Sequence, residues 1–349
     1  MSRVESSGTD RATRVPAAGS LSLMKALPAA SGVAVVAAAT WMLRRHLSAR
    51  EALAAVPAEL RSPLLPLFTA DTTERNYRRT RLLTRVSTPT GAGVTVTRRR
   101  IAGRAVLVMT PTNRGPAGLL YIHGGGMVVG SPQSEAVSAA GLARELGALV
   151  VSPDYRLAPE DPFPAGLDDC MSTLHWMRDN AGELGIDPER ISVTGSSAGG
   201  GLSAAVAQRA HDEGIVLRAQ ALVYPMIDDR TVLRDADGRG AFLWTPGSNR
   251  FGWTAYLGRP PRMSDAPEYA APARREDLSG LAPAWVGVGG LDLFYEESVD
   301  YAERLRAAGV ECELVTVPGM YHAADGLARR NPAMQAFRHS VTEFLRSHL

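Results

Sequence analysis

Beyond residue 90, short apolar and β-branched runs alternate with segments of helical length, the pattern of a sheet whose strands are joined by helices. The runs predict strands at 94–99, 105–109, 119–122, 148–152, 191–194, 219–224, 284–288 and 312–317. Only a turn around Ala102-Gly103 separates the first two, as in an antiparallel hairpin, whereas the later connections are long enough for parallel crossovers. Helices are expected over 134–146, 165–180, 198–212, 296–308 and 333–347, and Gly147, Gly214 and Gly309 stand where three of them should stop.

Two segments fall outside this alternation. Residues 48–86 read as short helices rich in Leu and Arg, and residues 228–265 make a long excursion between two strands that holds Phe242, Trp244, Phe251, Trp253 and Tyr256. A structureless insertion of that length is uncommon inside a compact domain, so helices are expected there, and together the two segments are expected to form a lid. Residues 1–47 form an N-terminal extension, first polar and then apolar over 26–43, with Lys25 before the apolar run and Arg44-Arg45 after it. Ala, Val and Gly dominate that run and Pro28, Ser31 and Thr40 interrupt it, so it is a weak candidate for a membrane span.

Length and charge narrow the functional classes. With 349 residues, 45% of them hydrophobic, the chain can bury one large core plus a cap. Its 38 basic and 36 acidic side chains leave a formal charge of +2, which provides no field for a nucleic acid. The two cysteines, Cys170 and Cys312, fit no metal spacing and are too few for a disulfide framework. A reducing, cytoplasmic compartment is the expectation, with membrane association through 26–43 as the alternative. Oligomeric state leaves no mark in the sequence.

The chemistry concentrates in two glycine-rich strings. Gly195-Ser196-Ser197-Ala198-Gly199 lies between a predicted strand and a predicted helix, and only Ser197 has glycine at the second position on both sides. Such a turn needs small residues where its arms meet, and it presents the serine at a helix N-terminus, where free amides favour developing negative charge. Upstream, His123-Gly124-Gly125-Gly126 follows another strand. Backbone amides at Gly124 and Gly125, joined by that of Ala198, are the expected oxyanion donors.

A serine hydroxyl needs a base, and the base needs a carboxylate to fix its tautomer. Among seven histidines, His322 lies on the glycine-containing loop after the last strand, and His123 is expected to hold the glycine loop instead. His175, His211, His339 and His348 fall on predicted helix surfaces and His46 in the N-terminal segment. For the acid, Asp292 and the pair Asp228-Asp229 each follow a strand, and both satisfy the chain order of nucleophile, acid and base.

With these residues in hand, the chain from about residue 90 resembles the hormone-sensitive-lipase family of α/β-hydrolases. Besides the loop and the elbow, the resemblance rests on Asp154-Tyr155-Arg156-Leu157-Ala158-Pro159-Glu160 with Pro162-Phe163-Pro164-Ala165, on Asp292-Leu293-Phe294-Tyr295-Glu296-Glu297, and on Gly319-Met320-Tyr321-His322. It implies an α/β-hydrolase fold with an eight-stranded, mostly parallel sheet and a helical cap built from 48–86 and 228–265. It also places Asp292 ahead of Asp228. The chain departs from the family at Ser196, where Asp is frequent, at Leu293, where Pro is usual, and at Met127, where an aromatic is common.

The expected activity is a serine carboxylesterase acting on small to medium acyl esters through an acyl-enzyme, with Ser197, Asp292 and His322 as the triad. It calls for no metal and no organic cofactor. Amide or N-acetyl hydrolysis would use the same triad. A non-catalytic, ligand-binding relative is the remaining alternative, and the presence of all three triad residues argues against it.

Overall fold

The computed structural model describes residues 50–85 and 89–349, so the N-terminal extension, with its apolar run over 26–43, lies outside the described residues. Eight strands, β1 (Val94–Ile101), β2 (Arg104–Pro111), β3 (Gly118–Ile122), β4 (Leu149–Pro153), β5 (Ile191–Ser196), β6 (Gln220–Val223), β7 (Ala284–Gly289) and β8 (Cys312–Val317), pair into one sheet. Their order across it is β1-β2-β4-β3-β5-β6-β7-β8. β2 is antiparallel to both β1 and β4, and every other pairing is parallel. This is the α/β-hydrolase arrangement, with β5 in the interior of the sheet.

The two-residue period of the strands explains how one sheet supports two apolar layers. Leu120, Ile122, Val151 and Val193 join the side chains of helices α3 (Ala165–Asp179) and α4 (Ala198–Asp212) in one buried cluster. Their neighbours Leu119, Tyr121 and Val150 face the other way, toward helices α2 (Ala136–Leu146) and α7 (Pro332–His348). Covered on both faces, β3, β4 and β7 are buried throughout, which is why they read as continuous apolar runs. Gly147 ends α2 in the left-handed conformation, and Gly214 and Gly309 take positive φ just beyond α4 and α6 (Tyr295–Ala307).

The two segments outside the alternation hold helices and meet each other. The first carries α1 (Tyr77–Leu83) after two short 3-10 turns, and the second carries α5 (Pro246–Leu257). The Leu243 N–H donates to the Phe68 carbonyl (2.7 Å), the Thr72 N–H to Ser248 Oγ (2.8 Å), and the Thr245 hydroxyl to Asp71 Oδ1 (2.5 Å). Thr245 also caps α5 by accepting from the Ser248 N–H. Cys170 and Cys312 are both free thiols. Among the described residues, no helix is long and apolar enough to cross a membrane.

Candidate active site

Parallel strands deliver their C-terminal ends to one edge of the sheet, and the site is built there. Ile122 pairs with Gly195, so the loop leaving β3 and the turn leaving β5 lie side by side. The turn is tight: a Cβ on Gly195 would collide with the carbonyls of Gly199 and Ile122, and one on Gly199 with those of Ile122 and His123. Between them Ser197 takes φ 56° and ψ −121°. Such backbone costs a non-glycine residue about 1–3 kcal/mol and persists only where its surroundings hold it.

Ser197, His322 and Asp292 come together from three loops. His322 Nε2 lies 2.9 Å from Ser197 Oγ, and His322 Nδ1 lies 2.8 Å from Asp292 Oδ2. An ionised carboxylate can only accept, so Nδ1 carries the proton and Nε2 is left to accept from the serine hydroxyl. The other Asp292 oxygen accepts from the Phe294 N–H (2.9 Å). Asp292 is wholly buried, and Ser197 and His322 are only 6% and 5% exposed, so bulk water does not compete strongly for these bonds. Edge-on rings of Tyr224 (4.9 Å) and Phe294 (5.3 Å) flank the imidazole.

The rival acids are engaged elsewhere. Asp228 accepts from the Arg230 guanidinium (2.8 and 3.0 Å) and lies 3.4 Å from that of Arg234, while Asp229 pairs with Arg274 (2.6 Å). His123 is buried against the glycine loop, stacked on Tyr155 at 4.2 Å, with Nδ1 2.9 Å from the Gly124 carbonyl. Burial lowers its pKa from 6.5 to about 4, although the bond to that carbonyl opposes the shift. His175, His211 and His339 lie exposed on helices, and His348 sits at the end of α7.

The structure corrects one expected oxyanion donor. The Gly124 N–H donates to Glu135 Oε1 at 2.6 Å, so it is unavailable to a substrate oxygen. The next two amides are free of such a partner. Gly125 and Gly126 have φ 121° and 60°, and among the described residues neither N–H has a protein acceptor. A Cβ on Gly126 would overlap the Trp244 indole. Ala198 opens α4 directly after Ser197, where helical N–H groups lack intrahelical partners.

Two contributors carried no sequence signal of their own. Glu135 is a single acidic residue at the start of α2, and Trp244 is one of several aromatics in the 228–265 segment. Of the departures from the family, Met127 is buried in the core beside α4 at 2% exposure, and Ser196 contacts Glu135.

Comparison with known proteins gives a consistent picture. A family model described as an alpha/beta hydrolase fold matches residues 119–325. Carboxylesterase NlhH of Mycobacterium tuberculosis is 41% identical over 230 residues, covering 62% of this chain and 68% of that protein. Ethyl acetate hydrolase of Pseudomonas putida is 34% identical over 209 residues, covering 59% and 65%. Among solved structures, a bacterial heroin esterase superposes with a TM-score of 0.77 at 32% identity, covering 85% of this chain and 99% of that one.

Proposed function

The chain belongs to the hormone-sensitive-lipase-like family of α/β-hydrolases and is a carboxylic ester hydrolase, and from that premise we propose that Ser197, His322 and Asp292 carry its chemistry through an acyl-enzyme. The observation that supports these roles best is His322 with one ring nitrogen on Ser197 and the other on Asp292. Ser197 Oγ attacks the ester carbonyl as its proton passes to His322 Nε2. Asp292 holds the resulting imidazolium in place without taking the proton.

The tetrahedral oxygen is received by the amides of Gly125, Gly126 and Ala198. Each such donor is worth about 2.7–4 kcal/mol in the transition state. When the intermediate collapses, the ester C–O bond breaks and His322 returns its proton to the departing alkoxide. Water then repeats the sequence on the acyl-enzyme, releasing the acid and restoring Ser197.

Residues 50–85 and 228–265 act as the cap over this site. Esters with small to medium acyl groups are the substrate class. Trp244 pressed against the oxyanion loop favours a confined acyl pocket, and the relative named ethyl acetate hydrolase points the same way. Ser197→Ala is the direct test on p-nitrophenyl acetate and butyrate, with intact-mass detection of the acyl-enzyme. Turnover should fall by about 10⁶, as loss of the nucleophile does in subtilisin. Near-parental hydrolysis by that variant would overturn the assignment.

A further inference from the structure

One carboxylate fastens the oxyanion loop to the nucleophile's own turn. Glu135 sits at the start of α2, partly buried, and three donors from three different places converge on it. The Gly124 N–H reaches Oε1 at 2.6 Å, the Tyr121 hydroxyl reaches Oε2 at 2.7 Å, and the Ser196 hydroxyl lies 3.0 and 2.9 Å from the two oxygens. Tyr121 belongs to β3, Gly124 to the loop that leaves it, and Ser196 immediately precedes Ser197. With three donors around two oxygens, the ionised carboxylate is the form that satisfies all of them.

We propose that Glu135 is the positioning residue that sets the oxyanion amides against Ser197. Its bond to Gly124 turns that N–H away from the substrate and fixes the peptide from which Gly125 and Gly126 continue. Its bond to Ser196 ties the same carboxylate to the residue next to the nucleophile. The distance between the attacking oxygen and its oxyanion donors is therefore held by one side chain that touches neither. The inference rests on the reading of Ser197 and the glycine amides given above.

Position 196 provides an independent check, because a Cβ built on Gly124 would lie 3.0 Å from Ser196 Oγ. A carboxylate carried at 196 can thus stand beside the same loop. Introduced alone, it faces Glu135 and repels it; introduced with Glu135 removed, it can replace it. Serine at 196 and glutamate at 135 then form one interdependent arrangement.

The experiment measures kcat and KM on p-nitrophenyl butyrate for the parent, Glu135→Gln, Glu135→Ala, Ser196→Asp and the double variant Glu135→Ala/Ser196→Asp, each checked by thermal melting. Glu135→Gln should lower kcat by about 30- to 100-fold with KM within about threefold, since a small misplacement of catalytic groups carries such a cost. Each alanine or aspartate single variant should also lose kcat, and the double variant should recover to within about tenfold of the parent, a coupling that independent sites do not show.

A Glu135→Gln enzyme with parental kcat, or a double variant whose losses simply multiply, would overturn the proposal. If the single variants fail to fold, the double variant decides alone by whether kcat returns. Ser197→Ala run in parallel separates the two readings. An inactive Ser197→Ala beside a parental Glu135→Gln removes only the positioning role, and an active Ser197→Ala removes the reading beneath it.

Discussion

The Trp244 indole fills the space in which a side chain at Gly126 would stand. A residue of the 228–265 segment is thus packed directly on the glycine loop that leaves β3, and Gly126, at φ 60°, has no room for even a methyl group. Gly126→Ala should cost about 1–3 kcal/mol by overpacking, with about 1–2 kcal/mol more for left-handed backbone at alanine. It should lower kcat by about 10²–10³, the cost of losing one oxyanion donor. Thermal melting with steady-state kinetics reads both, and a parental kcat would remove Gly126 from the oxyanion hole. Adding Trp244→Ala should restore part of the stability.

Asp292 and Asp228 should separate by rate. Asp292→Asn leaves a neutral partner that permits the wrong imidazole tautomer, and the equivalent change in a serine protease costs about 10⁴ in kcat. Asp228→Asn weakens its pairing with Arg230 and should leave kcat per folded molecule within about fivefold of the parent. Equal losses in the two variants would mean that the acid is misassigned.

These two aspartates also mark where the sequence stops being informative. Chain order admits either one and only the resemblance of the 292–297 segment favours Asp292; in the fold they differ in what each carboxylate touches, Arg230 for Asp228 and the His322 ring for Asp292. The strands were legible because a sheet covered on both faces demands apolar runs, and β8 begins and ends where the pattern places it. Ser197 was legible because the sterics of a tight turn require glycine on both sides. Gly124 was not, because a glycine triplet does not reveal which of its amides another side chain has already taken. Glu135 reaches Gly124 across eleven residues and Ser196 across sixty-one, so its role exists only in the folded chain.

Thr245 caps α5 and binds Asp71 of the 50–85 segment, so one hydroxyl serves both the helix and the junction. Thr245→Ala should cost about 1 kcal/mol for the cap and loosen the contact between the segments. With the two segments acting as the proposed cap, KM should change more than kcat, and the change should grow with acyl length across a series of p-nitrophenyl esters. A uniform fall in kcat with unchanged KM would place Thr245 in the support of the triad instead.

His123 makes stability depend on pH in a definite direction. Burial holds its pKa at about 4 against an ordinary 6.5, so between those values the unfolded chain binds a proton that the native chain excludes. Its contribution is complete above pH 6.5, falls as pH drops from 6.5 toward 4, and changes no further below that; over the window it amounts to about 3 kcal/mol. Burial raises the carboxyls of Glu135, Glu297 and Asp325, which shifts stability in the opposite sense as pH falls, so the parent alone does not isolate the effect. The difference between parent and His123→Asn does. Urea unfolding at pH 7, 5.5 and 4.5 should show the parent losing stability relative to the variant at each step downward. A constant difference across the three pH values would mean that His123 is already protonated, or solvated, in the native state.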